Sequence, residues 1–217
     1  MQRIEQSEGG MSREEFRAAL SLSSVYALRM LGLFMILPVF ALYAGDLEGV
    51  TPTQTGLAIG IYGLTQALLQ IPAGLLSDRI GRKPVIIGGL LIFALGSVVA
   101  ALADSMLVVI LGRALQGAGA IAAAIMALAA DLTREQHRIK AMALIGMSIG
   151  LSFALALVLG PVLNDWVGVP GIFTITMVLA LGGILVVLPL ILRDQAGVAA
   201  SAHWKIYLPV LVCSVLA

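Results

Sequence analysis

The 217-residue chain is 60% hydrophobic and 12% charged, with a mean hydropathy of +1.04, whereas soluble domains run near half apolar and a quarter charged. That excludes an ordinary soluble domain, and a formal net charge of +1 gives no ground for a nucleic-acid partner. One cysteine, Cys213, excludes an intramolecular disulfide, and no group of Cys and His has metal-ligand spacing, so neither metal nor cofactor is expected.

Residues 1–19 are mostly polar and lack the basic start, short apolar centre and cleavage site of a removable signal. Within them Ser12 and Glu15 have the spacing of a capping box, which opens a helix on the membrane surface. Six apolar runs of about 20 residues follow, the length that crosses ~30 Å of hydrocarbon. They cover roughly 20–44, 54–77, 84–103, 106–131, 140–163 and 171–192. Backbone groups in lipid must be satisfied internally, so each run is expected to be a helix, and the alternation a barrel needs is absent. Short connections make consecutive helices antiparallel neighbours. Residues 20–192 therefore read as one all-α, six-helix transmembrane bundle, followed by a linker at 193–203. A last run, 204–217, stops after 14 residues, too short to cross, so the chain reads as a fragment or an internally deleted product. Helix 2 (Gly60, Gly63, Pro72) and helix 5 (Gly146, Gly150, Pro161) share a Gly/Pro texture, which admits two three-helix repeats of inverted topology.

Orientation follows from Lys and Arg. Eleven cations lie on the N-terminal segment, the loops after helices 2 and 4, and the segment after helix 6. The intervening connections hold none and carry Asp46, Glu48, Asp104 and Asp165 instead. The N-terminus and the even-numbered loops are therefore expected in the cytoplasm. His137 and His203 fall in polar segments and read as solvated.

The stretch GLLSDRIGRKP, from Gly74 to Pro84, packs four charges and two glycines between apolar runs. Gly74 lets another helix approach closely. Asp78 suits the N-terminus of a neighbouring helix, Gly81 permits a left-handed turn, and Pro84 opens helix 3. Arg79, Arg82 and Lys83 satisfy a positive-inside loop, and Asp131 at the end of helix 4 is a carboxylate partner for them. A plain loop explains the cations and a glycine, but not an aspartate at that spacing.

This stretch closely resembles the loop 2–3 signature of the major facilitator superfamily. RALQGAG, with Arg113, Gln116, Gly117 and Gly119, resembles that family's helix 4 signature. ALVLGP, ending in Gly160 and Pro161, resembles its helix 5 antiporter signature but departs from it at Ala156, Asn164 and Asp165, where glycines are expected. Leu31 and Gly32, with Pro38 six residues on, resemble the first helix of twelve-helix drug:proton antiporters, and RMLGLFM from Arg29 and DLTREQ from Asp131 are close to an efflux branch. The resemblance implies two six-helix halves around a cavity that alternates its opening, with this chain as the first half. It also implies that Asp78, Arg82 and Asp131 form a charge relay latching that half to a helix of the second, and that Arg113 is coupled to proton movement.

Arg29 and Arg113 both fall inside spans, where a central arginine costs about 2.5–3.5 kcal/mol and by default faces the interior; the alternative is a stem that reaches to the interface. Tyr62, Gln66 and Gln70 recur every four residues on one face of helix 2, as a cavity lining or as interhelical hydrogen bonding. Phe34, Met35, Met126 and Met147 suit either a permissive drug site or ordinary packing. The small-residue run Ala118–Ala130 permits tight helix contact. No Asp, Glu or His lies at mid-depth in any span, so a proton site falls to Asp46 or Asp165 at the outer rim, or to the second half.

The leading expectation is an inner-membrane secondary transporter that exports small drug-like compounds by proton antiport through alternating access. Its partners would be the substrate, the proton, the bilayer and the missing six-helix half. Uptake of a sugar, peptide or metabolite is the first alternative, and a non-transporting membrane fragment the second. An enzyme is least favoured, because no nucleophile–base pair appears.

Overall fold

The computed structural model describes residues 10–46 and 50–197, with the side chains of 41, 42, 44–46 and 190–197 outside the description. The linker and final run expected beyond residue 197, with His203, lie outside the described residues. The rest is helical: α1 (Arg13–Met35), α2 (Leu37–Asp46), α3 (Pro52–Ile80), α4 (Arg82–Ala101), α5 (Met106–Ala118), α6 (Ala122–Asp131) and α7 (Arg138–Gly197), with a short 3₁₀ turn at Glu135–His137.

Caps set several starts. Ser12 accepts from Glu15 N at 3.1 Å while the Glu15 carboxylate accepts from Ser12 N at 2.8 Å, the reciprocal box expected from their spacing. Thr51 and Gln54 form a second box ahead of Pro52, whose missing N–H costs nothing in the first turn.

Among the described residues, five apolar helical segments are long enough to cross a bilayer, and the fifth, Glu135–Pro189, has 55 residues. At 1.5 Å per residue, α7 as one rod would be about 90 Å long, three bilayers deep. It is not one rod. Gly168 (φ 66, ψ −178) breaks it at a left-handed position that favours glycine. Before the break, Ser152 Oγ donates to Ala27 O and Gly160 lies against Met35 O, so α7 ascends beside α1. After it, Thr176 Oγ1 donates to Gly32 O and Gly183 packs on Val25, so the chain descends. The described residues thus make six crossings, as the apolar runs imply, but the connection expected at 164–170 shrinks to one residue.

Two other expectations change. Span 1 is divided between α1 and α2 at Ile36, two residues before Pro38. Span 4 is divided between α5 and α6 at Gly119–Ile121. The span expected at 106–131 is two helices.

Lipid tails are as apolar as leucine, so burial alone does not drive these helices together; close packing and polar contacts do. A Cβ on Gly96 would sit 2.6 Å from Gln116 N, and one on Gly112 2.8 Å from Ala100 N, so α4 and α5 touch backbone to backbone. Two core clusters stack along the bundle. One, around Leu22, Ile86, Leu90, Phe93 and Ile125, lies toward the end with Arg82 and Arg134. The other, around Phe40, Ala58, Val109 and Phe173, lies toward the opposite end.

Candidate functional site

The end of the bundle where α3, α6 and α7 terminate or begin carries an ionic cluster. α3 runs through Ile80, and Gly81 (φ 99, ψ 154) is the single residue between it and α4. The segment read as a loop is thus mostly helix, and α4 begins at Arg82 rather than Pro84. This tight reversal sets Arg82 against Asp78. Arg82 Nη1 donates to Asp78 Oδ1 and, at 2.9 Å, to Ser77 Oγ, which in turn donates to Gly74 O at 2.7 Å. Arg82 Nε donates to Asp131 Oδ2 at 3.3 Å. One guanidinium therefore joins the end of α3 to the end of α6. Both carboxylates are more than half exposed, and exposed pairs are worth about 0–1 kcal/mol each.

Arg79 is exposed on the last turn of α3, and Lys83 is half-buried. A Cβ on Gly74 would meet Ala123 Cβ at 3.4 Å, an ordinary contact. The tight approach expected at Gly74 is therefore not to any described helix of this bundle.

A second ionic contact lies beside the first and has no counterpart in the sequence reading. Arg134 Nε and Nη2 donate to Glu15 Oε1 and Oε2 at 3.0 and 3.1 Å, and Arg134 N adds a bond to Oε1 at 2.8 Å. Those donors hold the Glu15 carboxyl well below the usual carboxylate range. Glu15 and Asp131 line one open recess. The local signal for Glu15 was its cap; nothing local announces a partner 119 residues away. His137, expected in solvent, is 4% exposed, because the 3₁₀ turn tucks it under the bundle.

Deeper in the bundle lies a polar cluster without a carboxylate among the described residues. Arg113 is 2% exposed; its Nη1 donates to Gln116 Oε1 at 2.9 Å and its Nε to Ala58 O at 3.3 Å. Gln116 Nε2 donates to Ser97 Oγ at 2.8 Å, tying α5 to α4. Arg29 is fully buried, and its Nη2 donates to Gly119 O at 3.0 Å and to Gln66 Oε1 at 3.4 Å. Neither arginine reaches the interface. The Tyr62 ring lies under both, 4.9 Å from Arg113 and 5.9 Å from Arg29. A desolvated cation over a ring gains up to about 2 kcal/mol, and a hydrogen bond from a charged group about 1.5–3 kcal/mol. Together these match the insertion cost of each arginine, which is how the cluster persists without an acid.

The α3 stripe thus separates. Tyr62 and Gln66 join the cluster as interhelical contacts, whereas the buried Oε1 of Gln70 accepts no hydrogen bond from the described residues. A Cβ on Gly117 would overlap Tyr62 O and Thr65 Oγ1, so this glycine is required for α5 to lie on α3. Gly160 does the same between α7 and α1, its Cβ position 2.5 Å from Met35 O, while Pro161 is exposed. Of the apolar drug-site candidates, Met35 is 1% exposed and Met147 64%, and Phe34 packs edge-on against Phe153 at 5.2 Å. Met35 is core.

The family model for the Major Facilitator Superfamily matches residues 22–209. The chain belongs to the Major Facilitator Superfamily. It is a transporter-family membrane protein with an all-helical fold. Within the superfamily it is 59% identical over 174 residues to the inner membrane transport protein YajR of Escherichia coli, covering 80% of this chain and 38% of that protein. It is 42% identical over 193 residues to an uncharacterized transporter of Buchnera aphidicola, covering 89% of this chain and 49% of that one. It is also 40% identical over 111 residues to the bacillibactin exporter of Bacillus subtilis, covering 48% and 27%. The chain spans less than half the length of these curated relatives.

Proposed function

We propose that the chain is the N-terminal six-helix half of an inner-membrane, proton-coupled exporter of small drug-like compounds that works by alternating access. The observation that carries this reading is the join of α3 to α6 through Arg82, with Asp78 and Asp131 as its two acceptors. The basic end faces the cytoplasm, in keeping with the positive-inside bias. There the relay of Asp78, Arg82 and Asp131 acts as a latch. Gly74, open on its outer side, receives a helix of the second half, and Arg79 and Lys83 flank that contact. At about 0–1 kcal/mol per exposed pair the latch is easy to break, which suits a switch.

Export rather than uptake is supported by the partial helix 5 signature at Gly160 and Pro161. It is also supported by likeness to proteins named as an exporter and as the multidrug resistance protein MdtH. Arg113 with Gln116 couples the half to proton movement. The titrating group itself is Asp46 or Asp165 at the outer rim, or a residue of the second half; Asp165 is exposed.

The test is Asp78→Asn in the full-length transporter. Substrate-dependent proton flux in inverted vesicles is expected to fall at least about tenfold, or ~1.4 kcal/mol, while insertion and monodispersity stay unchanged. Normal flux in that variant removes the latch role, and a reversed pH response on adding substrate identifies uptake.

A further inference from the structure

Span 4 breaks in mid-bundle, and no proline causes it. α5 ends at Ala118, Gly119 (φ −70, ψ 47) leaves helical geometry, and α6 begins at Ala122. A backbone carbonyl freed inside a bilayer is costly unless a neighbour donates to it. The Gly119 carbonyl has such a donor, Arg29 Nη2 from span 1, at 3.0 Å.

The surroundings of Arg29 show what it is placed for. It is fully buried, so it reaches neither interface. Its Nε and Nη1 donate to no group among the described residues, and the guanidinium lies against the ring faces of Phe93, at 5.0 Å, and Tyr62, at 5.9 Å. A site built merely to house an arginine would pair more of its donors. Its shortest hydrogen bond goes to the carbonyl at the break.

α6 has ten residues, about 15 Å of helix. Its far end is Asp131, which accepts from Arg82 at 3.3 Å. An arginine therefore holds each end of α6: Arg29 inside the bundle and Arg82 at the basic end. α5 is held separately, by Arg113 on Ala58 O and by Gln116 on Ser97.

We infer that Arg29 is a positioning residue for the latch. By bonding the Gly119 carbonyl it keeps span 4 in two pieces and sets where α6 lies, and through α6 it sets the separation of Asp131 from Arg82. This rests on the latch reading for its importance to transport, but its test reads the position of α6 and needs no flux.

The experiment uses the full-length transporter in nanodiscs, on a cysteine-free background, with two nitroxide pairs. One pair, at Leu76 and Leu132, spans the end of α3 and the end of α6. The other, at Leu95 and Leu107, spans α4 and α5 and serves as control. Distances come from double electron–electron resonance. In Arg29→Met the first distribution is expected to shift by about 2 Å or more, while the control stays in place. Arg29→Lys keeps the charge on a single-headed donor and is expected to shift it less, in the same direction. An unmoved first pair in Arg29→Met, or both pairs moving together, overturns the inference; the latter makes Arg29 general glue. Should Arg29→Met fail to fold, Arg29→Lys decides: a moved first pair with a still control supports the role, and anything else overturns it. Loss of flux in Asp78→Asn remains a separate result, so a failed latch and a failed Arg29 role are distinguishable.

Discussion

Arginine serves two different physical purposes in the two halves of the bundle's depth. At the basic end, Arg82 and Arg134 bond carboxylates, three of them in all: Asp78, Asp131 and Glu15. In the middle, Arg113 and Arg29 bond carbonyl oxygens and lie over aromatic rings, with no acid among the described residues near them. The exposed Arg82 pairs compete with water and are cheap to open, whereas the Glu15 carboxylate, 8% exposed, is held more firmly by Arg134. The deep ones have no competing solvent, so removing either strands a buried acceptor, Gln116 Oε1 for Arg113 and Gly119 O for Arg29. The contrast fits the proposed latch at Arg82 and a shape-holding role for the deep pair.

The sharpest way to break that contrast is to destroy the shape outright. Gly96→Leu puts a side chain where a Cβ alone would lie 2.6 Å from the Gln116 backbone nitrogen. Overpacking between backbones is expected to cost about 3 kcal/mol or more, seen as loss of a monodisperse folded species on heating in detergent. Gly88, with nothing within 4 Å of its Cβ position, is the control, and Gly88→Ala should leave the melting profile unchanged.

Next in size is Arg113→Met. It strands Gln116 Oε1, at about 1–3 kcal/mol, and loses the Tyr62 contact, up to about 2 kcal/mol, but also removes an insertion cost of about 2.5–3.5 kcal/mol. The net change in stability is therefore expected to stay within about 2 kcal/mol of zero, while substrate-dependent proton flux in the full-length transporter falls by at least about tenfold. A stable variant with unchanged flux would show that the deep arginine is dispensable to both shape and coupling.

How much of this was legible depended on distance along the chain. At the Asp78–Gly81–Arg82 corner the left-handed glycine could be read locally, whereas the pairing of Arg82 with Asp78 came only with the family resemblance and the helix on either side was read as loop. Six crossings could be read because lipid thickness fixes helix length. The break at Gly119 could not, because alanine is the best helix former and a run of it reads as continuous. The partner that makes the break tolerable, Arg29, is 90 residues away. His137 was misread for a related reason: its neighbours in sequence are polar, while its neighbours in space bury it.

Glu15→Gln tests the surface side of the comparison through pH. The Arg134 bonds hold the Glu15 carboxyl below its ordinary value of 4.5. A group with a depressed folded-state value contributes stability that is complete above the unfolded value and declines as pH falls below it. The wild type is therefore expected to melt above Glu15→Gln at neutral pH, and the gap to narrow once pH drops below about 4.5. A gap that stays constant down to strong acid would mean that packing, not charge, sets the difference.

The smallest expected effect separates two arginines three residues apart. Arg79 and Arg82 both belong to the charged cluster and count equally toward the positive-inside bias. Only Arg82 reaches a carboxylate; Arg79 is exposed on the last turn of α3 and makes no ion pair among the described residues. Arg79→Gln should change melting by less than about 0.5 kcal/mol and leave the Leu76–Leu132 distance alone, whereas Arg82→Gln should lengthen that distance by releasing Asp131. If the two substitutions act alike, the cluster works as a diffuse positive patch against lipid headgroups. If they differ as expected, a single guanidinium carries the connection between α3 and α6, and its neighbour contributes only positive charge to that end of the bundle.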